Sequence, residues 1–352
     1  MITVDDLSLN RALHEREAWC VDNLEFNKDK IKISGWAFPK NGDWRSVNFF
    51  LNDQAVDFEY GLDRDDLTEV FPFCSSANQT GFSITVDRND ISALNGFISV
   101  SRKANYLASK YSNYYFPIDR RFYKNLPNEK LRKQVHGSDS KSAFVLEGFS
   151  CFKKIDFIVQ EYSGKDLSSL LPILDWGCGC GRVSRFFPNI SQKLHGSDIN
   201  SEAISWCQSN SFNNFISSDT HPPLPYEDCF FNVCFGVSIL THLSFQNQVS
   251  WIRELVRITK KGGLIILSFH GFDSVLRLNL SKKKLNLYAT NGFVDLGPNN
   301  IFCDQPVLQE EYLDTVQSHL SFDEITRSLD VEISFIEGVF GNHQDVLVIH
   351  KK

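Results

Sequence analysis

The run LPILDWGCGCGRVSRFF, residues 171–187, places Asp175 two positions ahead of three alternating glycines, Gly177, Gly179 and Gly181. Cys178 and Cys180 stand between the glycines, but C-x-C is not the C-x-x-C of a zinc site, and no second ligand pair follows at the needed spacing. A phosphate loop needs G-x-x-x-x-G-K-[ST], and no such Lys follows. A dinucleotide loop needs G-x-G-x-x-G, yet Arg182 and Ser184 occupy the two positions where the third glycine would stand. What is left is D-x-G-x-G-x-G, a backbone that turns sharply and admits a ligand where no Cβ intervenes. An acid ahead of it suits a cationic amine. Asp198, ending the next apolar run, is spaced to accept hydrogen bonds from ribose hydroxyls. Asp219 ends the run after that, where an adenine amino group is read. Amine, ribose and adenine acceptors in that order describe S-adenosylmethionine.

Methyl transfer from a sulfonium asks a protein to align the acceptor, exclude water and, for an oxygen acceptor, remove a proton. His242 in SILTHLS and His270 in SFHG are the candidate bases, because imidazole can take a hydroxyl proton near neutral pH. Arg182 is a candidate partner for the cofactor carboxylate, and His221 in DTHPPLPY is read as shaping a proline loop. Tyr288, Gln305 and Tyr312 are candidate acceptor contacts, and Gln344 and Asp345 open the last strand. No carboxylate cluster has metal-ligand spacing, so no metal is expected.

Positioning these residues requires strands that end in the acids. ILDW, KLHGSDI (193–199), FNNFISSD (212–219), FFNVCFGVS (230–238) and GLIILSFHG (263–271) read as strands, alternating with helices such as FQNQVSWIRELVRITKK. Ser201 is the expected cap of the helix after Asp198. Alternation of this kind predicts a parallel sheet with helices on both faces, closed by VEISFIEGV and QDVLVIHKK as an antiparallel hairpin. Between the fifth strand and an expected helix in EEYLDTVQSHL lies a segment, 272–311, suited to cover the acceptor. Upstream the rhythm differs. Residues 1–17 form a helical lead-in, and 18–104 hold short strands with Gly, Asn and Asp punctuation, the pattern of an all-β sandwich. A tyrosine-rich connector, 105–141, leads to the α/β part, 142–352. The segment from about 136 onward is expected to fold and bind cofactor by itself.

ILDWGCGCGRVSRFF, LHGSDIN, SSDTHPPLPY, FFNVCFGVSILTHLS and ELVRITKKGGLIILSFHG together resemble successive motifs of the class I S-adenosylmethionine-dependent methyltransferases. The resemblance implies a Rossmann-like, doubly wound, seven-stranded α/β sheet. It implies that the loop from Asp175 through Trp176, Gly177, Cys178 and Gly179 to Gly181 wraps the methionine end, beside Arg182 as the candidate for the cofactor carboxylate. Asp198 would hold the ribose, Ile199 would pack on adenine beside Asp219, and Val237 and Ser238 would floor the sulfonium. ISGWAF, LDRDDLTEVF and TGFSITV resemble small β-modules attached to bacterial glycan-modifying enzymes. That implies a carbohydrate-facing or partner-facing surface with Trp36 and Trp44 as candidates, although an apolar strand is more often where a tryptophan joins a core.

Composition sets the outer limits. A net charge of -7 gives no basic field for nucleic acid, although KLRK or the KKK at 282–284 could form a local patch. No NPPY-like tetrapeptide follows the fourth strand, where nucleobase amino methylation would place one. The N-terminus carries acids where a signal peptide carries Lys or Arg, and no apolar run reaches membrane-spanning length. Nine cysteines without repeated spacing suit a reducing compartment, so the expected location is cytoplasmic. The expected activity is methylation of a hydroxyl on a sugar, glycan or related small metabolite. The rivals are a nitrogen or carboxyl acceptor, protein or nucleic acid, and a non-catalytic scaffold in glycan assembly. The β-module could also serve a protein partner or self-association.

Overall fold

The computed structural model describes residues 6–87, 96–103, 110–187, 193–278, 280–299 and 312–352; Gln305 lies outside them. The first described element is helix α1 (Asp6–Glu15). There follow β1 (Trp19–Phe26), β2 (Lys30–Ala37), β3 (Phe50–Leu51), β4 (Gln54–Ala55), β5 (Glu59–Leu62), the one-turn α2 (Leu67–Val70), β6 (Gly81–Asp87), β7 (Phe97–Ser101) and β8 (Tyr114–Pro117). They form two antiparallel four-stranded sheets, β1-β2-β6-β5 and β4-β3-β7-β8. In β2, KIKI alternates, so Ile31 and Ile33 are buried while Lys30 and Lys32 face water. Those isoleucines pack with Phe82 and Ile84 against Phe49, just before β3, and against Ile98, Val100 and Phe116 of the other sheet. Trp36 is core, edge-on to Phe38 and Phe71, whereas Trp44 is 63% exposed. Because β8 completes the second sheet, the β-module reaches at least Pro117 instead of stopping at 104.

The remainder of the expected connector holds α3 (Glu129–His136), capped by Asn128 at its start and by left-handed Gly137 at its end. The long α4 (Lys141–Ser163) follows, its Ser140 hydroxyl accepting from the Ala143 amide. One face of α4 lies on the β-module. Leu146 joins the sandwich core, and Val145 and Phe149 pack with Tyr115. Its other face, with Phe144, Ile155 and Ile158, belongs to the core of the α/β part.

That part runs β9 (Ile173–Trp176), β10 (Leu194–Asp198), α5 (Ser201–Ser209), β11 (Phe215–Ser217), β12 (Phe231–Gly236), α6 (Phe245–Ile258), β13 (Thr259–His270), α7 (Phe272–Val275), α8 (Lys282–Asn291), β14 (Phe293–Pro298), β15 (Leu313–Gln317), α9 (His319–Thr326), β16 (Val331–Phe340) and β17 (Gln344–Lys351). The seven-stranded sheet has the order β11-β10-β9-β12-β13-β17-β16. Its first five strands are parallel, and β17 runs antiparallel between β13 and β16. The Rossmann-like sheet and its closing hairpin are therefore as expected. Chain order reverses at β9, the switch point beside which an open α/β sheet places its ligand.

Several local expectations change. The glycine loop runs into a single 3-10 turn, Ser184–Phe186, rather than directly into an α-helix. Asn200, not Ser201, caps α5, its side-chain oxygen accepting from the Ala203 amide at 3.1 Å. The residues LDTVQ of the expected late helix form β15, which pairs with β14, and the helix begins only at His319. Among the described residues no helix is long and apolar enough to cross a membrane.

Candidate functional site

The carboxyl ends of β9, β10, β11 and β12 open onto a cavity of about 430 Å³. Gly177 and Gly179 cross its floor with φ of 72° and 51°, left-handed values that glycine adopts without strain. The space beside each is already taken by another residue of the cavity lining. A Cβ on Gly177 would lie 2.0 Å from Ile239 Cδ1, and one on Gly179 would lie 2.7 Å from Val135 Cγ1. Asp198 accepts the Gly179 amide on Oδ2 (2.6 Å) and the Asn200 amide on Oδ1 (2.8 Å). Each oxygen keeps a second lone pair, so both remain able to accept a ribose hydroxyl. These two bonds also tie the loop to the start of α5. Asp175 lies deeper, 3% exposed, and accepts the Ser184 hydroxyl at 2.6 Å. Burial pushes its pKa up to about 7, against the pull of that bond.

Trp176, Cys178, Arg182, Ile199, Val237 and Ser238 also line the cavity. Trp176 is backed by Trp251 with ring centroids 5.2 Å apart. Burial raises the Cys178 thiol pKa well above its usual value, and Cys178 and Cys180 are both free and buried. Among the described residues no three His, Cys, Asp or Glu side chains gather as metal ligands. Ser238 is held at φ +62°, an uncommon conformation for a residue with a side chain. A small network fixes it. The Ser238 amide donates to Ser268 Oγ (2.7 Å), and Gln344 Nε2 donates to Ser238 Oγ (2.8 Å).

His242, in the 3-10 turn Leu240–His242, faces the same cavity. Its Nδ1 lies 2.9 Å from the Leu313 carbonyl, which can only accept, so Nδ1 carries a proton and Nε2 is the nitrogen left to act as a base. Asp314 Oδ1 stands 3.4 Å from the same Nδ1, and the Tyr312 ring stacks on the imidazole with centroids 4.1 Å apart. The Asp314 pKa is lowered although burial works to raise it, because the bonds from His242 and Asn299 prevail.

Three expected residues are placed elsewhere. His270 is not among the residues that line the cavity; its Nδ1 bonds the Thr315 carbonyl, and burial pushes its pKa down to about 4. Gly181 abuts Phe212 instead of the cavity. Asp219 is exposed, while its neighbours Ser218 and Thr220 provide the lining. The sequence reading also missed a cover for the glycine loop, formed by Gln134, Val135, His136 and Gly137 at the end of α3. Beneath it Glu147 of α4 stands 3.0 Å from His136 Nδ1 and 3.4 Å from the Arg182 guanidinium. Burial works to raise the Glu147 pKa, but these partners hold it below the usual range. The only local trace of this cover was Gly137, a helix stop followed by a fresh start at Ser140, which marks a turn and not a site.

Residues 174–267 match the family described as a methyltransferase domain. A malonyl-[acyl-carrier protein] O-methyltransferase of Buchnera aphidicola subsp. Baizongia pistaciae is 23% identical over 206 residues, which covers 56% of this chain and 78% of that protein. The enzyme of the same name from Pectobacterium atrosepticum is 26% identical over 147 residues, 39% of this chain and 56% of its own length. Among solved structures, a SAM-dependent methyltransferase from Methanosarcina mazei is 21% identical with a TM-score of 0.40, covering 55% of this chain and 96% of its own. Magnesium protoporphyrin IX methyltransferase from Synechocystis PCC 6803, with bound SAH, is 15% identical with a TM-score of 0.39, covering 66% and 92%.

Proposed function

We propose that this chain is a class I S-adenosylmethionine-dependent methyltransferase, a reading supported by the methyltransferase-domain match at 174–267, and that it methylates a hydroxyl of a sugar, glycan or related small metabolite, with His242 removing the proton. The observation that carries this reading is the fixed imidazole. Leu313 and Asp314 hold Nδ1, which leaves Nε2 as acceptor in the same cavity as the glycine loop and Ser238. When bound, S-adenosylmethionine supplies a methyl group already activated on its sulfonium. The glycine loop and Asp198 would seat it, Asp175 would answer its ammonium group, and Ile199 would pack on its adenine. Asp314 would stabilise the imidazolium that forms once His242 has taken the acceptor proton. Tyr312 would keep the ring in plane with that task.

A carboxyl acceptor is the second reading, favoured by the names of the two curated relatives, which modify a malonyl group. A carboxylate is already ionised near neutral pH and needs no base, so one variant separates the two. If the acceptor is a hydroxyl, His242→Ala is expected to lower kcat by about 10²–10⁴-fold and leave cofactor affinity within twofold. The measurement is methyl transfer to a panel of sugars, uronic acids and acyl carboxylates, with cofactor affinity by calorimetry. Retained kcat with an alkali-labile methyl ester as product would replace the first reading with the second. Loss of kcat and cofactor affinity together would make His242 a structural residue.

A further inference from the structure

Beyond Val237, Ser238 and Gln344 the main cavity borders a smaller hollow of about 100 Å³, set in the seam between the β-module and the methyltransferase domain. Cys20 of β1 and Tyr114 of β8 line it from one side, and Lys154 and Cys151 of α4 with Arg277 and His343 line it from the other. Its electrostatics are lopsided. Lys154 is 1% exposed, donates to the Val339 carbonyl and lies 5.5 Å from the Tyr114 ring centroid. Among the described residues it forms no ion pair, and one of its three donors is placed on that carbonyl. Burial lowers its pKa to about 8, which still leaves it mostly charged at neutral pH. Arg277 donates to the Asn342 carbonyl and lies 5.0 Å from the centroid of the Trp36 ring, without a carboxylate partner at ion-pair distance among the described residues. Arg182 reaches the hollow too, and its buried Nε has no hydrogen-bond partner among the described residues.

Against these three cations stands, among the described residues, one lining carboxylate, Glu147, already shared between His136 and Arg182. Buried charges are retained in proteins when they are paired, and a lysine sealed this deeply without an acid is poised for a charge that arrives from outside. The hollow shares Glu147, Arg182, Val237, Ser238, His343 and Gln344 with the cofactor cavity but neither Gly177 nor Gly179, so an anion here would sit apart from the loop that seats the cofactor. We propose that this hollow is an anion subsite for the methyl acceptor, in which Lys154 and Arg277, assisted by Arg182, hold a carboxylate or phosphate group while a neighbouring hydroxyl meets His242. The inference rests on the methyltransferase reading above and narrows it to acidic acceptors such as uronic acids or sugar phosphates. It also gives the β-module a task, since the subsite exists only where Tyr114 and Cys20 close it.

The test uses the full chain saturated with S-adenosylhomocysteine, titrated calorimetrically with glucose, glucuronate and glucose 6-phosphate. At least one anionic probe is expected to bind tenfold or more tightly than glucose, and the better of the two identifies carboxylate or phosphate as the group recognised. Lys154→Met and Arg277→Gln should each weaken that probe by fivefold or more with S-adenosylhomocysteine affinity kept within twofold. Anionic probes that bind no better than glucose, or equally well in both variants, overturn the subsite while leaving the methyltransferase reading intact. Displacement of S-adenosylhomocysteine by the anion overturns it as well, because the anion would then occupy the cofactor's own carboxylate pocket. Wild type that binds no S-adenosylhomocysteine overturns the parent reading and the subsite with it.

Discussion

Asp175 is a carboxyl group sealed at the end of a buried strand, with one hydroxyl for company and its pKa raised to about 7 by desolvation. In the unfolded chain an aspartate titrates near ~3.9. A folded-state pKa above the unfolded value means that the folded protein holds the proton more tightly. The stabilisation is therefore complete below about pH 4 and is lost as pH rises through about 7, with a ceiling of roughly 4 kcal/mol for three pH units. We expect the cofactor-free protein to lose stability between pH 5 and pH 8, and Asp175→Asn to flatten that loss. Denaturant midpoints of both proteins at the two pH values decide it. Asp345, also buried and raised to about 7, adds a slope of its own, so the difference between wild type and variant is the informative quantity. Equal slopes would show that Asp175 is already ionised in the free protein. The identity of this acid was legible from D-x-G-x-G-x-G, but its protonation was not, because that depends on how deeply β9 is buried.

At the level of elements, the glycine loop and α3 form a single unit. Gly179 sits at φ 51° with Val135 directly over it, so an alanine there meets both backbone strain and a clash at 2.7 Å. Strain of this kind costs about 1–3 kcal/mol. Gly179→Ala is expected to weaken S-adenosylhomocysteine binding tenfold or more, and Val135→Ala in the same chain should return part of the loss. A double-mutant cycle on cofactor affinity measures the coupling, expected at roughly 0.5–3 kcal/mol. Strictly additive effects would mean that α3 does not press on the loop. The five parallel strands of the α/β sheet were legible because each is an apolar run with an Asp, Gly or His at or near its carboxyl end. The role of α3 was not, since EKLRKQVH carries only capping and amphipathic signals. LDTVQ reads as helix beside its Glu and Leu neighbours, but pairing with β14 buries Thr315, Val316 and Gln317, and that tertiary gain prevails over local preference. The register matters for function. It is β15 and its preceding tyrosine that bring Tyr312, Leu313 and Asp314 to His242.

Over the whole molecule, the change from closely spaced strands to alternating strands and helices was enough to show two parts, yet not enough to show that they share a core. The reason is α4, whose buried residues from Ala143 to Val159 face two ways. Such a helix is buried on both sides, and here the β-module takes one of them. Val145 and Leu146 are at most 1% exposed and Phe149 is 8% exposed, with Tyr115 and the sandwich core supplying much of their cover. Each such side chain contributes about 1.5–3 kcal/mol when buried, so uncovering three of them removes a sum comparable with the ~5–15 kcal/mol that holds a whole domain together. The same cut would open the seam around Lys154. A fragment of residues 136–352, which the sequence suggested would stand alone, is therefore expected to aggregate or to melt broadly, while the full chain unfolds in one transition. Scanning calorimetry and size-exclusion chromatography compare the two. A monomeric fragment that melts sharply and binds S-adenosylhomocysteine like the full chain would show that α4 closes its own core, and that the β-module serves only the acceptor.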